Sequence, residues 1–83
     1  MGIIYSKKSQ KQLFKLNPRI QQKIVLEFDK YINGFRVDIK KISGNSNEFR
    51  IRVGNFRVQL ERIKDEVFIT KIGKRENFYA VFF

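Results

Sequence analysis

One segment of alternating apolar and basic residues, Glu48–Val58, constrains the fold of this chain more than any other. Apolar side chains at every second position predict β-strands, and the Gly54-Asn55 pair between two such runs predicts a hairpin with a two-residue turn. A turn of that length also fixes which residues face each other across the hairpin. The predicted cross-strand pairs are Phe49–Leu60, Ile51–Val58, Arg52–Arg57 and Val53–Phe56.

The predicted register brings three arginines onto one face of the hairpin. Arg52 lies directly opposite Arg57, and Arg50 shares their face because it is two residues from Arg52. Like charges directly opposite each other destabilise a sheet, so folding alone does not account for this arrangement. The planar guanidinium group suits phosphate oxygens, and several of them on one sheet face predict a site for a phosphodiester.

The net charge of the chain points in the same direction. The 83 residues include 18 lysines and arginines against 8 acidic residues, which gives a net charge of +10 at neutral pH. So strong a positive field on a small body favours a polyanionic partner, either nucleic acid or an acidic protein. The alternative is a basic surface that serves only solubility. The strand periodicity of the arginines favours the polyanion.

Length and residue usage argue against several other classes of protein. The length corresponds to one small domain, residues 1–83. The chain has neither cysteine nor histidine, which excludes a disulfide, argues against a zinc site and fits a reducing compartment. No apolar run approaches the roughly 20 residues of a membrane-spanning helix, and the first residues do not resemble a secretory signal. We therefore expect a cytoplasmic protein that binds neither metal nor membrane.

Periodicity divides the rest of the chain into further elements. A β-prone run opens it, and two segments with helical spacing follow, each after a good N-cap residue. Residues 34–47 form a connector, and β-prone runs follow the hairpin. The predicted elements are strand Ile3–Tyr5, helix Lys7–Leu16 with Leu13, Phe14 and Leu16 as its apolar anchors, helix Pro18–Ile32, the hairpin extending to about Arg62, strand Val67–Ile72 and a possible strand Phe78–Phe83.

The order β-α-α-β-β-β, with a possible extra C-terminal strand, predicts an α+β fold. Helices followed by consecutive strands favour an antiparallel sheet, here of about four strands, with an α-hairpin packed on one face. The apolar hairpin residues then face the helices. The face away from the helices carries Arg50, Arg52, Arg57, Gln59 and Glu61.

Residue types alone favour binding over catalysis. The sequence has no glycine-rich phosphate loop, paired-carboxylate site or nucleophile motif. Without histidine, proton transfer falls to Tyr, Lys, Glu or Arg, each of which needs a shifted pKa to act near neutral pH. Tyr79 or a phenylalanine is available to stack on the bases of single-stranded RNA.

Three segments stand in a characteristic order along the chain. They read Lys-Lys-Ile-Ser-Gly at 40–44, Glu-Phe-Arg-Ile-Arg-Val-Gly-Asn-Phe-Arg-Val at 48–58 and Ile-Gly-Lys-Arg-Glu-Asn-Phe-Tyr at 72–79. Together they resemble the RelE/ParE superfamily of bacterial and archaeal toxins, with the RelE-like branch favoured. Residues 5–18 are also similar to the family's opening strand and first helix, so the resemblance covers nearly the whole chain and implies the RelE-like fold.

The resemblance implies a function as well. RelE-type toxins cleave ribosome-bound mRNA without a metal or other cofactor. They promote attack of a 2′-OH on the adjacent phosphate and leave a 2′,3′-cyclic phosphate, which inhibits translation. The implied partners are the mRNA, ribosomal RNA and a cognate antitoxin whose C-terminal segment wraps the toxin and neutralises it.

The resemblance finally assigns roles to residues. The family's catalytic residues fall on Arg57, Arg75, Arg52 and Tyr79. Arg57 and Arg75 would neutralise the scissile phosphate, and Tyr79 would stack on a base or take part in acid–base chemistry. The remaining basic residues would hold RNA, namely Arg50, Lys40, Lys41 and Lys74. Lys74 stands where many members carry histidine, so this chain lacks their histidine acid or base.

Two other functions remain open from the sequence. A ParE-like inhibitor of DNA gyrase would share the fold and lack the catalytic residues. A basic RNA-binding module or decayed toxin would keep the arginines without cleaving RNA. The retained arginines and the short connector favour the endoribonuclease.

Overall fold

In the computed structural model, two helices pack on one face of a five-stranded mixed sheet, as the α+β prediction requires. The structure describes residues 2–42, 44 and 47–74. Its elements are β1 (Gly2–Tyr5), α1 (Lys7–Phe14), α2 (Pro18–Ile32), β2 (Ile39–Lys41), β3 (Glu48–Val53), β4 (Phe56–Ile63) and β5 (Glu66–Lys74). The strand order is β1-β5-β4-β3-β2, which puts β4 at the centre of the sheet. The possible strand at 78–83 lies outside the described residues.

Both helices begin where the sequence predicts. Ser6 Oγ accepts a hydrogen bond from the backbone N–H of Ser9 at 3.0 Å, and Asn17 Oδ1 accepts one from the N–H of Arg19 at 2.8 Å. Each bond satisfies a donor that the first turn of a helix leaves unpaired. Neither of these two described helices is both long and apolar enough to cross a membrane.

The C-terminal end of α1 differs from the prediction, and the role predicted for Phe14 is wrong. The helix ends at Phe14 rather than Leu16, and 71% of the Phe14 side chain is exposed whereas Leu13 is buried. Adjacent residues on an α-helix point about 100° apart, so a short helix that buries Leu13 turns Phe14 away from the sheet.

The core lies between the helices and one face of the sheet. Ile24 and Phe28, one turn apart on α2, are 0% and 1% exposed. Tyr5 packs edge-on against Phe28, with ring centroids 6.0 Å apart. Burial, and then the negative charge of Asp29, raise the pKa of Tyr5. The buried sheet residues are Ile51, Val53, Phe56, Val58, Leu60, Val67, Ile69 and Ile72.

The β3–β4 hairpin confirms the register predicted from its two-residue turn. Gly54 has a φ of +59°, a left-handed conformation that glycine adopts at little cost and that the first central residue of a type II′ turn requires. The observed pairs include Phe49–Leu60, Ile51–Val58, Arg52–Arg57 and Val53–Phe56.

The sheet differs from the predicted antiparallel meander at both edges. Strand β1 pairs with β5 in parallel, because the two helices carry the chain across before the antiparallel strands begin. Strand β2, residues Ile39–Lys41, pairs antiparallel with β3 inside the segment predicted as a connector. Three residues that include two lysines carry little β-propensity of their own, so pairing with β3 rather than local sequence forms this strand.

Candidate nucleic-acid interface

The sheet face away from the helices carries a basic surface built from two rows of paired residues. We call it the arginine face. Both rows alternate along their strands with the buried core residues, so their side chains stand on the opposite side of the sheet. Across the strands, the rows read Lys40–Arg50–Gln59–Lys71 and Arg52–Arg57–Gly73.

Arg57 occupies the centre of this face. It lies on the central strand β4, and its side chain is only 6% exposed. The backbone N–H of Arg52 donates to the carbonyl of Asp38 at 2.9 Å. This N–H therefore points toward β2 and away from β4. Arg52 and Arg57 therefore form a non-hydrogen-bonded pair, the type in which Cα atoms lie about 4.5 Å apart and side chains approach closest. The structure thus confirms the opposed arginines.

Gly73 puts no side chain beside Arg57 on the arginine face. Gly73 pairs with Arg57 on the side of β4 away from Arg52, and a Cβ placed on Gly73 would meet no atom of the described residues within 4 Å. Among the described residues, no side chain therefore fills the space over Gly73 beside Arg57. We call this space the Gly73 gap.

Lys71 borders the Gly73 gap and was not predicted from the sequence. It lies two residues before Gly73 and pairs with Gln59, which puts it diagonally across from Arg57. Burial, and then the positive charge of Lys8 on α1, lower the pKa of Lys71. A lysine with a lowered pKa transfers protons more readily near neutral pH than an ordinary one.

A β-bulge turns Lys71 onto the arginine face. Gln59 pairs with Lys71 while Leu60 pairs with Ile69, so Thr70 is the extra residue in β5. Thr70 Oγ1 donates to the carbonyl of Gln59 at 3.2 Å, which holds the bulge. Buried Ile69 and Ile72 are three positions apart in a strand, and this break in the alternation is the sequence signal that would have revealed the bulge.

The charge of this sheet face changes sign along the strands. The next row away from the hairpin tip pairs Glu48 with Glu61, and Glu61 with Phe68. The basic surface is therefore confined to the end of the sheet near the β3–β4 turn.

The structure brings together four of the predicted site residues and separates two others from them. Arg50, Arg52, Arg57 and Lys40 share the arginine face. Lys41 pairs with Phe49, and Lys74 pairs with the buried Phe56, so both lysines lie on the helix side of the sheet. Arg75 and Tyr79 lie outside the described residues.

Comparison with known proteins gives close relatives for this architecture. No protein-family model matches the sequence. The chain is 31% identical over 87 residues to toxin RelE3 of Methanocaldococcus jannaschii, covering 99% of both chains. The structure is similar to that in the RelB-RelE antitoxin-toxin complex from Methanococcus jannaschii, with a TM-score of 0.82, 30% identity, and coverage of 95% of this chain and 98% of that one. It also matches the archaeal RelE-RelB complex from Pyrococcus horikoshii OT3, with a TM-score of 0.72, 22% identity, and coverage of 88% and 92%.

Proposed function

Since this chain belongs to the RelE family of toxins, which act in toxin–antitoxin systems, we propose that it is an endoribonuclease that cleaves ribosome-bound mRNA and inhibits translation in the cytoplasm. The observation that carries the proposal is Arg57, which is buried at the centre of the sheet, opposed by Arg52 and bordered on its other side by the Gly73 gap. Such an arrangement is costly for folding and suited to a phosphate that gains charge during reaction.

The chemistry we propose is transfer within the RNA strand. The 2′-oxygen forms a bond to the adjacent phosphorus, and the bond from phosphorus to the 5′-oxygen of the next nucleotide breaks. The products are a 2′,3′-cyclic phosphate and a 5′-hydroxyl, so the 2′-OH proton must leave and the 5′-oxygen must gain one. Arg57 and Arg52 hold the phosphate and stabilise the negative charge that develops on its oxygens.

Lys71 supplies one of the two proton transfers in this proposal. It borders the Gly73 gap, and its lowered pKa makes the neutral amine more available than in an exposed lysine. Arg75 would add a second charge on the phosphate, and Tyr79 would stack on a base or complete the acid–base pair. Arg50 and Lys40 would hold the RNA backbone along the second row of the arginine face.

We also propose a cognate antitoxin as the protein partner. The Methanococcus jannaschii and Pyrococcus horikoshii relatives form complexes with RelB antitoxins. For this chain, carboxylates of an acidic antitoxin would sit between the opposed arginines and relieve their repulsion, as an RNA phosphate would.

The test compares wild type with Arg57→Met and Arg62→Met after brief induction in a host without antitoxin. Both variants lose one arginine, but Arg62 lies on the helix side of the same strand. We expect wild type and Arg62→Met to produce new mRNA 5′-hydroxyl ends within coding regions, and Arg57→Met to produce almost none. The 3′ ends should carry 2′,3′-cyclic phosphate, which RNA-end mapping detects.

Other outcomes would reject the proposal. Growth arrest with intact mRNA and relaxed plasmid DNA would indicate gyrase inhibition. Harmless expression of folded wild-type protein would indicate a non-catalytic RNA-binding protein. Equal cleavage by wild type and Arg57→Met would show that the arginine face does not perform the reaction.

A further inference from the structure

A basic groove lies on the helix side of the sheet, directly behind the arginine face. It has a volume of about 690 Å³ and runs between the α1–α2 connection and the β3–β4 turn. Ile20 and Phe56 form its floor, and its polar lining includes Lys15, Asn17, Asn55 and Lys74. We call it the tip groove. Among the described residues that line it, the charged ones are the two lysines, Lys15 and Lys74.

The tip groove continues along α2. A smaller cavity of about 180 Å³ shares Ile20, Asn55 and Phe56 with it and adds Lys23, which lies one turn after Ile20. Lys15, Lys23 and Lys74 are all exposed, so their ammonium groups are available to a ligand that passes through the groove.

The tip groove and the arginine face meet at the same end of the sheet. Gly73 lies on the arginine face beside Arg57, and the next residue, Lys74, points to the opposite side and lines the groove. Likewise, the two residues just before Arg57 in the chain, Asn55 and Phe56, line the groove. A strand that leaves the arginine face at this end of the sheet therefore passes directly into the tip groove.

We propose that the tip groove is a second binding site for the sugar–phosphate backbone of single-stranded RNA, flanking the cleavage site. The proposal rests on the function proposed above. Lys15 and Lys74 bind successive phosphates as point charges, and the apolar floor accommodates sugars rather than specifying bases. The groove thus increases the number of nucleotides that contact the protein, and it adds affinity without adding sequence preference.

The features of the groove favour RNA over an acidic peptide. A peptide that adds to a sheet needs an exposed strand edge, but the groove lies behind the central strands, whereas the edges of this sheet are β1 and β2. The exposed lysines along the groove, Lys15, Lys23 and Lys74, suit the repeated charges of a nucleic-acid backbone. If an acidic peptide rather than RNA occupied the groove, the groove variant would bind RNA of every length as the control does.

The test measures binding of 2′-O-methyl RNA oligonucleotides, which cannot be cleaved, over a series of increasing lengths and salt concentrations. The groove variant is Lys15→Gln with Lys74→Gln. The control is Lys30→Gln with Lys64→Gln, which removes the same charge at the far end of the molecule. A third variant, Lys15→Arg with Lys74→Arg, keeps the charge. Circular dichroism checks that all of them fold.

We expect the groove variant to match the control on the shortest oligonucleotides and to bind long ones at least tenfold more weakly at low salt. Two lost phosphate contacts should lower the slope of log affinity against log salt by about 1.4, at roughly 0.7 per contact for single strands. The arginine variant should bind as wild type does.

Two results would overturn the inference. The groove variant could match the control at every length, or it could lose affinity equally at all lengths. Each result is independent of cleavage, because the probes are uncleavable. If Arg57→Met still abolished mRNA cleavage in the cell, the proposed function would stand while the second site failed.

Discussion

The central strand β4 carries an arginine near each end, and the two have opposite surroundings. Arg57 stands on the arginine face, 6% exposed, with Arg52 directly opposite. Arg62 stands on the helix side, where its guanidinium carbon lies 5.9 Å from the ring centroid of Tyr31 and 5.8 Å from that of Phe49. Aromatic faces attract a cation, whereas a neighbouring arginine repels it. Arg62 therefore has attractive aromatic neighbours, whereas Arg57 faces a like charge across the strands.

This difference offers a criterion for telling structural arginines from candidate functional ones without any knowledge of relatives. Sequence spacing alone puts Arg57 and Arg62 on opposite faces, but it does not show that aromatic rings flank only one of them. An arginine whose neighbours are aromatic has a sufficient structural reason to be there. We infer that an arginine buried beside a like charge is placed there for a ligand, and the predictions below test that inference.

The largest expected effect is on RNA cleavage by Arg57→Met. Removal of one group that stabilises transition-state charge costs about 10²–10³-fold in rate. Reconstituted translation reactions with a defined mRNA would measure the cleavage rate. The free energy of unfolding should change by less than about 1 kcal/mol, because the substitution keeps the apolar stem and removes a like-charge pair. A large loss of stability with unchanged cleavage would reverse the roles of the two arginines.

The second prediction concerns the Gly73 gap. Gly73→Val has room for its side chain, because a Cβ at this position meets nothing within 4 Å among the described residues, and valine suits a strand. The new side chain would fill the approach to Arg57 and lower cleavage about tenfold, which corresponds to about 1.4 kcal/mol in the barrier. Gly73→Ala should give a smaller loss in the same assay. If both variants cleave RNA as wild type does, the phosphate does not enter through this gap.

At the other end of β4, Arg62→Met should affect stability and leave cleavage unchanged. Partly exposed cation–π contacts contribute about 0.5–1 kcal/mol, and Arg62 has two aromatic neighbours. We expect the free energy of unfolding in urea to fall by about 1 kcal/mol. The double variant Arg62→Met with Phe49→Leu would then lose less than the sum of the two single changes. Additive losses would show that Arg62 does not interact with the ring.

The turns at the two ends of β4 offer a smaller comparison. Gly54, in the turn before β4, has a φ of +59°, and Lys64, in the turn after β4, has a φ of +55°. The left-handed region costs a residue with a Cβ roughly 1–2 kcal/mol, offset in part by glycine's freedom in the unfolded chain. Lys64→Gly should therefore raise the free energy of unfolding by about 0.5 kcal/mol, and Gly54→Ala should lower it by about 1 kcal/mol. Thermal unfolding of both variants would check the opposite signs.

The parts of the molecule that the sequence predicted share one property, which is that short-range patterns determine them. A two-residue turn set the hairpin register, and capping residues set the starts of both helices. Pairings between distant segments were harder to predict. The parallel contact of β1 with β5 and the short strand β2 depend on partners far along the chain, and Lys71 depends on a bulge that local alternation only hints at. The family resemblance assigns Lys41 and Lys74 to RNA binding together with Arg50, but strand alternation puts both lysines on the helix side.

The smallest predicted effect tests whether positive charges repel one another on the arginine face. Lys8 lowers the pKa of Lys71 in addition to the effect of burial, so Lys8→Gln should raise the pKa of Lys71 toward its ordinary value of 10.5. NMR titration of the labelled lysine side chain would measure the shift. Between the lowered pKa and 10.5 the unfolded chain binds more protons than the folded one, so Lys71 makes wild-type stability rise with pH over that window. Lys8→Gln should flatten this rise. An unchanged titration of Lys71 would mean that α1 does not bring its charge to the arginine face.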